Sequence, residues 1–161
     1  YIALISYCLM DNHFNLLLRE LVEGGISKFM QRISKSMASH FNAKYGGSGS
    51  LFQGPYRARV IDDDVYLQYV AAYINIKNPF ERYPGGLNKA VENFSEAYTW
   101  AIQYPFTSTA DFAGIRSSSL IDQKLRRELF ASPEEFWTSA KELMEDRIVL
   151  TDTHHFLALE Q

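Results

Sequence analysis

Three places in this sequence carry side chains of the type and spacing that chemistry needs. His13 and Asn15 stand two residues apart in an alternating run. A strand puts them on one face with Leu17, and puts Phe14, Leu16 and Leu18 on the other. An imidazole beside a carboxamide is a pair of metal-capable donors, though a lone strand histidine is more often a hydrogen-bonded core residue. Tyr66, Tyr69 and Tyr73 are separated by three, four and seven residues, which gathers three phenols on or near one helical face. By spacing alone they are core or rim aromatics. The third group is charge. From Gly24 to Ile61 there are six basic residues (Lys28, Arg32, Lys35, Lys44, Arg57 and Arg59) and no acid, whereas the rest of the chain sets ten basic residues against nineteen acidic ones. The net charge of −3 hides this asymmetry. A cationic face without carboxylates suits a phosphate backbone, while solvation is the plain alternative for any charged helix face.

Other candidates carry less. Asp62-Asp63-Asp64 offers carboxylates to Mg²⁺, but consecutive residues do not easily converge on one ion, and an N-cap before a helix is the better account. Gly46-Gly47-Ser48-Gly49-Ser50 is a flexible loop rather than a phosphate loop, since no Gly-Lys-Ser/Thr follows and no strand precedes it. His154-His155 has no further ligands beside it and reads as a solvated pair. Cys8, the single cysteine, cannot form an internal disulfide. It reads as a small buried side chain in a reducing compartment, with the cytoplasm as the default.

The elements that must position these groups follow from periodicity. An apolar run from Ile2 to Met10, the polar pair Asp11-Asn12 and the alternating run after it make two strands about a tight turn. A helix is expected from Ile26 to Tyr45, with Ile26, Phe29, Met30, Ile33, Met37 and Phe41 as its buried stripe and Lys28, Arg32 and Lys35 on another face. Arg57-Ala58-Arg59-Val60-Ile61 alternates as a strand with both arginines on one side. The tyrosines lie on a helix from Val65 to about Ile76, stopped at Asn78-Pro79 because proline disfavours helix in the residue before it. Beyond Pro84-Gly85-Gly86 a helix is expected from Leu87 to Tyr104, then a loop that opens with Thr107-Ser108-Thr109 and runs past Gly114. A helix from Leu120 to Phe130 follows, and a last one starts at Ser132-Pro133-Glu134-Glu135 and runs to about Arg147. Trp100 and Trp137 are expected in the core. The 161 residues suffice for one domain, and no apolar run approaches the roughly 18 residues that span a bilayer.

In spelling and order, three of these stretches resemble one family. Tyr7-Cys8-Leu9-Met10, Asn12-His13 and Leu16-Leu17 match the phrase Tyr-Cys-Leu-Met-x-Asn-His-x-His-Leu-Leu. That is the histidine–hydrophobe–histidine ("HUH") strand of single-tyrosine transposases, most closely the REP-associated tyrosine transposases. Leu51-Phe52-Gln53-Gly54 ahead of a basic strand, then Tyr66-Leu67, Tyr73-Ile74 and Asn78-Pro79, follow in the family's order. The resemblance implies an α+β domain on an antiparallel ferredoxin-like sheet with helices on one face, here residues 1–84, and a helical C-terminal extension, residues 85–161. Because the sequence starts at Tyr1 rather than Met, inside a strand, the family's first strand and helix are expected to be missing. By the same resemblance Tyr73 is the nucleophile, and His13, Asn15 and Asn78 hold a divalent ion, Mg²⁺ or Mn²⁺. Lys28, Arg32, Lys35, Arg57 and Arg59 then contact DNA phosphates. The family's ion polarises a phosphate of single-stranded or hairpin DNA. Tyrosine attacks it, a 5′-phosphotyrosine bond forms, and the 3′-oxygen leaves as a free hydroxyl. A bacterial, nucleoid-associated cytoplasmic protein with no membrane partner is implied, acting as a monomer or a homodimer.

Two departures fall on the site itself. Asn15 stands at the second histidine, an uncharged single oxygen on a shorter arm, so the ion is expected to bind weakly if at all. One extra residue lies between Tyr73 and Asn78-Pro79, and in an unbroken α-helix it turns Asn78 by about 100°. Two readings therefore stand side by side: a transposase that cuts and rejoins DNA, and a relative that binds DNA without cutting. The bland third is an α+β domain with no nucleic-acid role.

Overall fold

The computed structural model describes residues 1–150, with side chains through residue 145. The pair His154-His155 lies outside the described residues. The fold is α+β with a helical C-terminal part. Packing divides the chain into two compact units: Tyr1–Ala3 with Leu18–Ile61, and Leu4–Leu17 with the described residues from Asp62 onward. Strands β1 (Ile2–Leu9) and β2 (Phe14–Glu20) form a two-stranded sheet about the expected turn. Met10 N–H donates to the His13 carbonyl at 2.9 Å, and Asp11 and Asn12 make the turn without positive φ.

In the first unit, helix α1 (Gly25–Tyr45) follows the expected bounds closely. Gly24 and Gly46 flank it at φ of 71° and 66°, where glycine escapes the Cβ penalty. A Cβ at Gly25 would collide with the Tyr1 carbonyl oxygen, so only glycine lets the start of β1 pass this close to the helix start. Met30 is buried and Ile26, Phe29, Ile33 and Met37 are half-buried. The stripe ends there, for Phe41 is exposed and packs on Tyr45, one turn further, at 4.6 Å between ring centroids. Arg57–Ile61 does not form the expected strand. Residues 55–63 have no regular structure, and Val60 is 87% exposed. Alternation gives a segment two distinct faces, but a strand exists only through a neighbour, and the sheet of the described residues consists of β1 and β2 alone.

In the second unit the edge of β1 is covered by the hydroxyl run expected to open a loop. Leu9 N–H donates to the Phe106 carbonyl at 2.8 Å and Ser108 N–H to the Tyr7 carbonyl at 3.0 Å, with Cys8 bridging antiparallel to Thr107. Thr107, Ser108 and Thr109 are fully buried. Their hydroxyls take up backbone groups that water cannot reach. Helix α6 (Thr109–Phe112) continues from them. Buried Asp111 accepts from Arg116 Nε at 2.8 Å, Arg116 Nη2 at 2.6 Å and Ser118 N–H at 2.6 Å, which closes the turn that follows.

The tyrosine helix departs furthest from expectation. Helix α2 (Asp64–Ala72) is capped as the acidic triplet foretells, Asp63 Oδ1 accepting from Tyr66 N–H at 2.6 Å. It does not stop at Asn78-Pro79. It widens into a π-turn (Tyr73–Lys77), closed by Asn78 N–H bonding to the Tyr73 carbonyl five residues back, and then runs on as α3 (Asn78–Glu81). Pro79 sits in the first turn of α3, where its missing N–H costs little. The carbonyl that an amide at 79 would have met belongs to Asn75, and Thr109 Oγ1 donates to it instead at 2.5 Å. Ser108 Oγ donates to Asn75 Oδ1 at 2.6 Å, while Asn75 Nδ2 donates to the Ala71 carbonyl at 2.8 Å.

The helix expected over Leu87–Tyr104 is two: α4 (Gly86–Glu92) and α5 (Phe94–Gln103). Asn93 separates them at φ −117°, ψ 48°, its side-chain amide bonding back to the Lys89 carbonyl at 3.0 Å. Such local bonding lets asparagine compete with the helix ladder. Helix α7 (Gln123–Leu129) starts later than expected because Asp122 caps it, Oδ1 accepting from Lys124 and Leu125 N–H at 3.0 Å each. Helix α8 (Pro133–Leu150) opens on the expected cap, Ser132 Oγ accepting from Glu135 N–H at 3.2 Å, and extends beyond Arg147. Phe80, Phe112, Phe130 and Phe136 form the aromatic centre of this unit, each at most 1% exposed. Trp100 and Trp137 are half-buried at its rim instead of in the core.

Candidate functional site

His13 precedes β2 at the hairpin turn, exposed, with Nδ1 2.7 Å from Asn12 Oδ1. An ion pair between Asp11 and Arg82 ties this turn to the residue that ends α3. Asn15 is half-buried. The Met10–His13 pairing sets a register in which Asn15 lies across from Cys8, with the two side chains on one face of the hairpin. Cys8 is fully buried, and burial pushes its thiol up to about 12; the Glu81 carboxylate adds to the rise and a hydrogen bond with Thr107 opposes it.

Tyr73 opens the π-turn and is only 8% exposed. Lys77 Nζ donates to Tyr73 Oη at 3.0 Å and lies 4.9 Å from the ring centroid. The same ammonium pairs with Glu81 Oε1 at 2.5 Å, and the Lys77 side chain is 4% exposed. Tyr66 stacks on Tyr69 at 5.9 Å, and Tyr69 meets Tyr73 at 6.4 Å, so the spacing of three and four gathers the rings as read. Asn78 is 1% exposed, and its Nδ2 is buried without a hydrogen-bond partner among the described residues. The expected rotation of Asn78 away from Tyr73 does not arise. A ring closed five residues back, in place of four, absorbs one additional residue, so Asn78 stands to Tyr73 as a residue four further on stands in an α-helix.

The cationic candidates lie in the first unit. Lys28, Arg32 and Lys35 are exposed on α1. Lys28 Nζ is 5.5 Å and Arg32 Cζ 5.2 Å from the centroid of the Tyr1 ring, a cation–π arrangement. Arg57 and Arg59 are exposed in the irregular segment rather than on a strand. Sequence reasoning passed over Lys77, Glu81, Asn75 and Thr109. The four-residue spacing Tyr73–Lys77–Glu81 was the available signal for the first two; nothing local marks the others, whose partners are some 30 residues apart in sequence.

Residues 1–77 match the family described as transposase, IS200 like. The match ends with the last residue of the π-turn and spans slightly less than half of the 161 residues. It supports the transposase family for this stretch, and DNA is the partner such a family implies. No curated protein and no solved structure matches the chain. Among the described residues no helix is long and apolar enough to cross a membrane.

One prediction arises directly from the site. With its thiol held near 12 against an ordinary value of 9.0, Cys8 is about one part in ten thousand thiolate at pH 8. Native protein is expected to resist an aromatic disulfide reagent at that pH and to react fully in urea. The stability this proton supplies is complete below about pH 9 and is lost as pH rises towards 12. Rapid reaction of the native thiol at pH 8 would show the strand face to be open.

Proposed function

We propose that this chain is a DNA-binding relative of the IS200-like transposases that holds single-stranded or hairpin DNA without cutting it. DNA as partner is supported by the match over residues 1–77 and by the acid-free basic stretch from Gly24 to Ile61. The observation that carries the absence of cutting is the state of Tyr73. A nucleophile must meet phosphorus, and this phenol is buried and held by an ammonium that is itself buried. The donor set does not suit a divalent ion either. His13, Asn15 and Asn78 offer one imidazole and two neutral amides, where Mg²⁺ normally takes at least one carboxylate. The imidazole is exposed while Asn78 is sealed, with only an amide donor known to lack a partner.

Incubation with a labelled hairpin single strand and Mn²⁺ is expected to give salt-sensitive binding and no covalent adduct. Replacing Lys28 or Arg32 with alanine should lower the slope of log affinity against log salt by about 0.7 per lost phosphate contact. An adduct that survives denaturation and is absent in Tyr73→Phe would overturn the proposal. The second reading, cleavage through Tyr73, is favoured by the π-turn, which keeps Asn78 on the tyrosine's side of the helix. It predicts that Asn15→His raises adduct formation, whereas the first predicts no adduct from that variant.

A further inference from the structure

Lys77 follows Tyr73 by four residues and precedes Glu81 by four, and its ammonium touches both: Tyr73 Oη at 3.0 Å and Glu81 Oε1 at 2.5 Å. Tyr73 and Glu81 lie eight residues apart, about two turns of one continuous helical run, and the carboxylate is a hard oxygen donor of the kind that holds Mg²⁺ or Mn²⁺. Here a positive group belonging to the chain already occupies the space between them. Its side chain is 4% exposed, so water screens it little. A divalent ion brought to the same oxygens would lie within a few ångströms of a like charge and would have to displace it. The β2 position that the resemblance gives to an imidazole is the neutral Asn15.

We infer that Lys77 is a built-in cation that takes the place of an exchangeable divalent ion at Tyr73, and that Glu81 is a counter-charge that helps to hold it there. The inference rests on placing the family-type site at Tyr73, but not on DNA binding or on the absence of cutting. It assigns roles to two residues that the donor set of His13, Asn15 and Asn78 leaves out. It also makes the site's chemistry conditional on a side chain rather than on the ionic composition of the medium.

The test is Mn²⁺ binding to the whole chain without DNA, followed by loss of the free-ion electron paramagnetic resonance signal. Wild type is expected to leave the signal unchanged. Lys77→Gln should gain one site per chain, at least about tenfold tighter than any wild-type binding. The double variant Lys77→Gln/Glu81→Gln should lose that site again, and Lys77→Arg should keep excluding the ion. Lys77→Met, which retains the apolar stem, replaces Lys77→Gln if the latter loses its near-ultraviolet circular dichroism. Two results would overturn the inference: wild-type binding of one Mn²⁺ that Tyr73→Phe or Glu81→Gln removes, or no gain of binding on removal of the lysine. Failure of DNA binding would leave both readouts untouched, so the two proposals fail separately.

Discussion

Replacing Phe136 with alanine is expected to lower the unfolding free energy by about 3–5 kcal/mol. The ring is fully buried on α8, with centroids 5.1 Å from Phe112 and 5.2 Å from Phe130, and Tyr98 at 6.2 Å. Rings from α5, α6 and the end of α7 meet on this one side chain, so truncation opens a cavity that none can fill by shifting alone. The cost is lost transfer energy plus the unfilled volume. Urea unfolding should show a lower midpoint with an unchanged slope. Phe136→Leu, which keeps most of the volume, should cost far less. Equal midpoints for alanine and wild type would mean that α8 is not anchored through this ring.

Thr109→Val should cost about 1–3 kcal/mol, the penalty for leaving a buried acceptor unpaired. The substitution is close to isosteric, so packing contributes little and the hydroxyl is what is measured. In its absence the Asn75 carbonyl, which Pro79 cannot serve, has no donor from Thr109. Thr109→Ser keeps the hydroxyl and should lie near wild type. Amide hydrogen exchange should quicken from Tyr73 to Asn78 in the valine variant, more than at the far end of α2. A neutral Thr109→Val with unchanged exchange would show that the π-turn does not depend on this bond.

What could be read from the sequence was what local chemistry decides. The hairpin followed from alternation about Asp11-Asn12, α1 from its apolar stripe and flanking glycines, and the start of α8 from Ser132 and Glu135. Local rules failed where a distant partner decides. Arg57–Ile61 alternates like a strand yet has no sheet neighbour, since alternation describes faces and not edges. The Thr107-Ser108-Thr109 run looks like a polar loop because the groups it satisfies, on Tyr7 and Asn75, lie far back in the chain. At the site, the gathering of Tyr66, Tyr69 and Tyr73 was legible from spacing. The burial of Tyr73 and its hold by Lys77 were not, because a phenol's exposure is set by the whole fold. The extra residue before Asn78 was visible, but the widening of the helix that takes it up was not, since counting in steps of 100° assumes a uniform helix.

The π-turn makes this stretch of the chain a length adjuster. Its wide ring holds a spare residue between fixed neighbours, and a proline on one side with a threonine hydroxyl on the other marks where the slack is stored. Deleting Ile76 should restore ordinary winding while keeping what lies upstream and downstream aimed as before. Most helices lose their facing when shortened by one. Here insertions and deletions, more than substitutions, are the natural way to ask how the two ends of the segment communicate.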